Sequence, residues 1–206
     1  MRREWMIYTG AGIVLLGLLL LGFSLYSGVQ TTTTRSDHDR YAEAPREVIP
    51  TRIPPRAFRH NIKIEEKYDK FLGINSIDTE KMIVAGTYPE AIQMSPMFAF
   101  KGDKERGSFM LTFIVVGKYA SMMEHSNPDV RRLFAVADGQ RIDLGILDVA
   151  DSMRSVYVLT TPFIPNQTFL QLVSAKEVEM SLGGQTFGLT EEQLEAMRDV
   201  ASRATN

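Results

Sequence analysis

Side chains suited to chemistry gather in three places along this chain, and each place has a plainer reading beside the functional one. The segment Met122-Met123-Glu124-His125-Ser126-Asn127-Pro128-Asp129 contains the only histidine after residue 60. Glu124, His125 and Asp129 have the atom types of a small metal site. A lone histidine with no second one at helical spacing falls short of a ligand set, however, and Asn-Pro-Asp turn chemistry accounts for the same residues. Met94, Met97, Met122 and Met123 carry soft thioethers that suit cuprous copper, with His125 beside the second pair. Methionine is also an adaptable core filler, and strand alternation turns many such residues inward, so core filling is the favoured reading. Asp143, Asp148 and Asp151 lie near a strand and its end. Acid–base work needs paired carboxylates that converge in space, and a solvated sheet face is the default for these three.

Other candidates are weaker. Asp37-His38-Asp39 resembles a ligand cluster on paper, but it falls in a polar, proline-bearing stretch that pre-organises nothing. Asn166-Gln167-Thr168 is formally a glycosylation acceptor. No Gly-x-Ser-x-Gly elbow, His-Glu-x-x-His pair or phosphate-cradling glycine loop occurs in the chain. No residue is therefore assigned as catalytic, cofactor-binding or metal-ligating. The absence of cysteine among the 206 residues excludes disulfides, thiolate sites and a cysteine nucleophile. A formal net charge of −2 argues against nucleic acid, which calls for a basic excess.

The elements that must position these residues fall into four stretches: a short tail at 1–4, an apolar anchor at 5–27, a tether at 28–60 and a globular body at 61–206. No charged residue occurs between Trp5 and Ser27. As a helix this stretch would be roughly 34 Å long, enough for a hydrocarbon core of about 30 Å. It is longer than the apolar core of a signal peptide, and no small-x-small cleavage site follows promptly. Arg2 and Arg3 lie before it, while the next basic residue is Arg35, so the positive-inside rule expects the body to be exported. The tether carries Pro45, Pro50, Pro54 and Pro55, which favour an extended spacer. Arg46, Arg52, Arg56 and Arg59 give its second half a basic bias that suits anionic headgroups or an acidic partner.

Beyond residue 60 short apolar runs alternate with turn residues, the pattern of strands. Strands are expected near 74–86, 92–101, 108–118, 130–138, 140–148 and 153–161. The run Phe109–Val116 is apolar at both parities and should be a central strand covered on both faces. Asp138-Gly139 signals a tight hairpin, and Pro96 should demote its strand to an edge or a bulge. Asn166 or Thr168 is expected to cap a short helix through Ser174. A final helix opens with the capping box Thr190-x-x-Gln193 and presents Leu194, Met197, Val200 and Ala201 as an apolar stripe. Glu195 is expected on the opposite face, where its truncation would be nearly silent.

The motifs Tyr68-Asp69-Lys70-Phe71, Ala137-Asp138-Gly139-Gln140-Arg141-Ile142, Ala175-Lys176-Glu177-Val178-Glu179, Leu182-Gly183-Gly184, Phe187-Gly188-Leu189-Thr190 and Gln193-Leu194-Glu195-Ala196-Met197-Arg198 follow one another in this order. Together they resemble an uncharacterised bacterial domain found in exported and membrane-anchored proteins. The resemblance covers the region after residue 64 and implies a bacterial source, a β-sandwich-like body and a cell-envelope location. It transfers no functional residue. The expected protein is thus mainly β (α+β), a β-sandwich-like domain with two helices behind one transmembrane helix. Its expected role is that of a membrane-anchored, non-catalytic interaction or scaffold module with no cofactor. Its partners would be the lipid bilayer, through residues 5–27, and an envelope protein. A soft-metal domain and a carboxylate-site enzyme are the alternatives.

Overall fold

The computed structural model describes residues 50–124 and 127–205. The chain separates into Met1–Val48 and Ile49–Asn206, and every described residue belongs to the second unit. The anchor at 5–27, the first part of the tether, Asp37-His38-Asp39 and His125 lie outside the described residues. Among the described residues no helix is long and apolar enough to cross a membrane.

The described fold is mainly β, with two antiparallel sheets and a few helices. The larger sheet contains β1 (Ile64–Asp69), β2 (Ile74–Thr79), β3 (Met82–Thr87), β4 (Glu90–Phe100), β5 (Ser108–Val116), β8 (Asp148–Met153) and β9 (Val156–Thr160). It runs in the order β1-β2-β4-β5-β9-β8, with β3 also paired to β4. The smaller sheet has the order β11-β10-β6-β7, from β6 (Arg132–Ala137), β7 (Gln140–Ile146), β10 (Val178–Leu182) and β11 (Gln185–Gly188). The helices are α1 (Lys118–Ser121), α2 (Asn166–Ser174) and α3 (Glu191–Thr205), with short 3-10 turns at Lys104–Arg106, Met122–Glu124 and Pro128–Arg131.

Strand alternation explains the core. Ile92, Met94 and Phe98 of β4 lie across from Val115, Phe113 and Phe109 of β5, and all six are essentially inaccessible. Their ladder neighbours Gln93, Ser95, Met97, Thr112 and Ile114 occupy the other face and are half-buried, so β5 is central but fully covered on one face only. A single cluster of buried side chains draws on both sheets, α2 and α3. Within it the Phe109 ring stacks on Phe169 of α2 at 4.0 Å between centroids and meets Phe98 at 4.7 Å. Gly107 closes over Phe98: a Cβ built there would sit 2.1 Å from the ring, so the position needs glycine for space rather than for backbone freedom.

One expected strand is divided, and one strand forms where none was expected. Residues 74–86 form β2 and β3, which take successive lengths of the long strand β4: Asp78 pairs Met97 and Met82 pairs Met94. Pro96 sits where that change of partner falls, so its missing N–H leaves no ladder acceptor unserved, and Ser95 Oγ donates to Thr79 O at 2.7 Å across the gap. Proline is tolerated here inside a central strand, not on an edge. The strand expected at 140–148 ends as β7 at Ile146, and β8, which was not expected, follows it in the other sheet, joined through the fully buried Leu147. The Asp138-Gly139 hairpin forms as its residues require, both with positive φ, at 46° and 83°.

The final helix carries its capping box. Thr190 N–H donates to Gln193 Oε1 at 2.9 Å, and Gln193 N–H donates to Thr190 Oγ1 at 3.2 Å. Gln193 Nε2 also donates to Ile83 O at 2.8 Å, tying the helix start to β3. Thr190→Ala removes one capping bond at an exposed position and is expected to cost about 1 kcal/mol, read as a lower thermal midpoint. Helix α2 differs from its expected start: Pro165 occupies the cap position and no side chain caps it. The proline's fixed φ takes the place of an Asn or Thr cap.

Candidate functional site

Among the described residues, the candidate chemical residues do not assemble into a site. Met94 and Met97 are an odd number of residues apart on β4, so they point to opposite faces of the sheet, with Met94 fully buried. Met123 is a core residue, packed so close to Gly183 that a Cβ there would meet its Cε at 2.4 Å. Met122 instead borders an open cleft of about 440 Å³, lined also by Asn127, Asp129, Val130, Gly183 and Gly184. Among the described residues no group of three or more histidine, aspartate or glutamate side chains is arranged to hold a metal ion. Asp143 belongs to the smaller sheet, where it accepts from Arg132 Nη1 at 2.6 Å and from Gly145 N–H at 2.9 Å. Asp148 and Asp151 lie on β8 of the larger sheet. Asp143 therefore has a basic partner and stands on a different sheet from the other two.

What the structure does assemble is a polar seam along α3. Glu192, Glu195, Asp199 and Arg203 are spaced three, four and four residues apart, which places them in one row on the helix. Residues 50–63 form a strap without helix or strand that lies against this row. Arg56 Nη2 reaches Glu195 Oε1 at 2.5 Å, and Arg59 N–H donates to Glu195 Oε2 at 3.2 Å. His60 Nε2 is 3.3 Å from Asp199 Oδ2, and Asn61 N–H donates to Glu192 Oε1 at 3.0 Å. Arg203 continues the row, holding Asp199 at 2.9 Å and reaching Glu66 of β1 at 3.4 Å. Ile53 sinks into the common core, with Phe58 and Ile62 packed against it.

Glu195 is therefore only 3% exposed, contrary to its expected solvent-facing position. Two layers cover it. The strap lies on one side, and on the other Arg198 donates to its Oε1 at 2.7 Å. Arg198 also donates to Val173 O at 2.8 Å and Ala175 O at 2.7 Å, serving carbonyls at the C-terminal end of α2. Burial opposes ionisation of Glu195, but the Arg198 hydrogen bond, the Arg59 N–H and the Arg56 charge outweigh it and hold the carboxyl below the usual carboxylate range. The cluster thus joins the strap, α3 and α2 through one buried carboxylate. The pairing of Arg56 with an acidic helix row was available as charge complementarity in the sequence, although no local period reveals it.

The second feature is a pair of exposed aromatic turns. Phe71, at the tip of the β1–β2 hairpin, is 87% exposed, and Tyr68 just before it is 63% exposed. Tyr88, in the β3–β4 turn, is 76% exposed. The edge at β1 is otherwise ionic. Lys63 and Lys67 both hold Glu65, whose carboxyl is lowered to about 2 chiefly by the hydrogen bonds from these two lysines. Such a charged edge discourages another strand from pairing with it. Comparisons with known protein families, with curated proteins and with solved structures give no match to this chain.

Proposed function

We propose that this protein is a membrane-anchored, non-catalytic interaction or scaffold module of a bacterial cell envelope. Residues 5–27 anchor it in the bilayer and its β-sandwich-like body stands on the exported side. The observation that carries this reading is the strap. The chain arriving from the apolar segment is fastened along the length of α3, the helix that packs on α2, β2 and β4, so the body is gripped at its core and does not hang from a frayed end. That is the attachment a platform needs if pull on its tether is to spread through the whole body. The single core shared by two sheets supports the sandwich-like description, and the exposed side chains Ile83, Val149 and Met153 supply apolar contact surface on β3 and β8.

A reporter fused after Asn206 tests the topology. An enzyme that functions only after export should be active there, because Arg2 and Arg3 retain the N-terminus inside. Activity of a reporter that works only in the cytoplasm would overturn the assignment.

A further inference from the structure

Phe71 is exposed, yet its backbone is fixed. Asp69 Oδ1 accepts from the N–H groups of Phe71 at 2.8 Å and Leu72 at 3.1 Å, and Gly73 N–H donates to Asp69 O at 2.7 Å. Gly73 takes the positive φ of 65° that closes this turn. The one carboxylate between Tyr68 and Gly73 is thus turned onto its own backbone, leaving rings and ammonium groups to face outward. The Lys70 Nζ lies 5.1 Å from the Phe71 centroid, and the exposed Lys101 passes beside Gly73, its Cε 3.7 Å from a Cβ built there. The loop that Lys101 begins adds Lys104 and Arg106 against Asp103 and Glu105.

Phe71 stands out from the apex of this turn, its side chain almost wholly exposed. A ring at the apex of a tight hairpin has no groove to hold a partner's side chain, but a fluid headgroup layer can close around it. Aromatic rings favour that layer, and lysines beside them are attracted by anionic phospholipid. The reach is sufficient. Residues 28–49 could span at most about 70–80 Å, and a body of this size has a radius of gyration near ~15 Å, so any of its faces can be brought to the bilayer.

We propose that the β1–β2 turn inserts Phe71 into the headgroup layer of an anionic bilayer, with Tyr68, Lys70 and Lys101 around it, seating the body on the membrane that anchors it. This rests on the anchored reading above. The test uses the full chain in nanodiscs of anionic phospholipid brominated near the headgroup. The chain's lone tryptophan, Trp5, reports on the anchor. Trp5→Phe/Phe71→Trp reports on the turn, and Trp5→Phe/Tyr88→Trp on the other aromatic turn. Both new positions are exposed, so the fold should tolerate the replacements.

Quenching of Trp5 and of the Phe71→Trp indole, but not of the Tyr88→Trp indole, is the expected result. The Phe71→Trp emission should shift to the blue, and both signs at that position should fade with added salt or with Lys70→Glu/Lys101→Glu. Quenched Trp5 with a water-like, unquenched indole in Phe71→Trp overturns the insertion and leaves the anchor standing. Equal quenching in Phe71→Trp and Tyr88→Trp also overturns it, because the turn would then have no preference. Unquenched Trp5 removes the anchored reading, and the insertion falls with it.

Discussion

Replacing Phe109 by alanine is expected to cost about 3–5 kcal/mol, the range for truncating a fully buried aromatic side chain. The value should lie in the upper part of that range because of what the ring touches. Phe109 is inaccessible to solvent, and its stack on Phe169 lies within 5° of parallel, joining the larger sheet to α2. On its other side it meets Phe98, which is itself pressed by Gly107 and so has little room to collapse into a cavity. The backbone adds to the restraint: Ile164 N–H donates to Phe109 O at 2.8 Å, and Leu111 and Thr161 exchange two hydrogen bonds of 2.9 Å. Neighbours held this firmly cannot relax into the void. Urea unfolding measures the effect as a lower midpoint at unchanged slope. Combining Phe109→Ala with Phe169→Ala should cost less than the sum of the single changes, since the two rings share one contact. A loss below about 1 kcal/mol, or strict additivity of the pair, would mean that the aromatic stack does not hold the helix to the sheet.

Elements whose residues state their own geometry were legible from the sequence. The Thr190/Gln193 capping box and the Asp138-Gly139 hairpin form as local chemistry requires, and the run Phe109–Val116 is central as its apolar residues imply, although only one of its faces is fully covered. Two strands were not legible. In β1, Ile64-Glu65-Glu66-Lys67-Tyr68-Asp69, and in β8, Asp148-Val149-Ala150-Asp151-Ser152-Met153, the residues are polar and poor in strand formers. Both are edge strands, held by ladder bonds to β2 and β9, and an edge tolerates or even prefers such residues. The division at Glu80-Lys81 and the change of sheet at Leu147 were hidden for a related reason: a change of partner or of sheet leaves no mark on hydrophobic alternation. Among the described residues, the candidates are separated by geometry that a list of types omits. Three residues along a strand separate Met94 from Met97 by a whole sheet. The seam on α3 was missed because half of its partners lie about 135 residues away, on a strap whose prolines read as spacer.

Glu195→Ala is expected to cost about 3 kcal/mol, the lower end for removing one partner from a buried ion pair. The lower end applies because Arg198 keeps Glu191 at 2.8 Å and its two carbonyls on α2 after the change, so its charge is not stranded outright. Arg56→Ala should cost no more than about 1 kcal/mol, since that guanidinium is half exposed and shares its attraction with water. Glu195→Gln separates charge from volume. It preserves packing but sets an amide N–H₂ against the arginines, so a cost close to that of alanine would assign the effect to the carboxylate. The pH dependence follows from the direction of the shift. Glu195 ionises more readily in the folded protein than the unfolded value of about 4.3. Its contribution is therefore fully present above that pH and is lost as pH falls through the lower folded value. Thermal midpoints taken from pH 7 downward should decline below about pH 4 in the wild type, and part of that decline should be missing in Glu195→Ala. The remainder belongs to other depressed carboxyls, among them Asp138, held down by the Glu177 and Lys176 N–H groups, and Glu65. If Glu195→Ala leaves both the midpoint and its acid dependence unchanged, the strap is not seated on α3. The body would then hang freely from its tether, and the acidic row of the helix would be open to a partner.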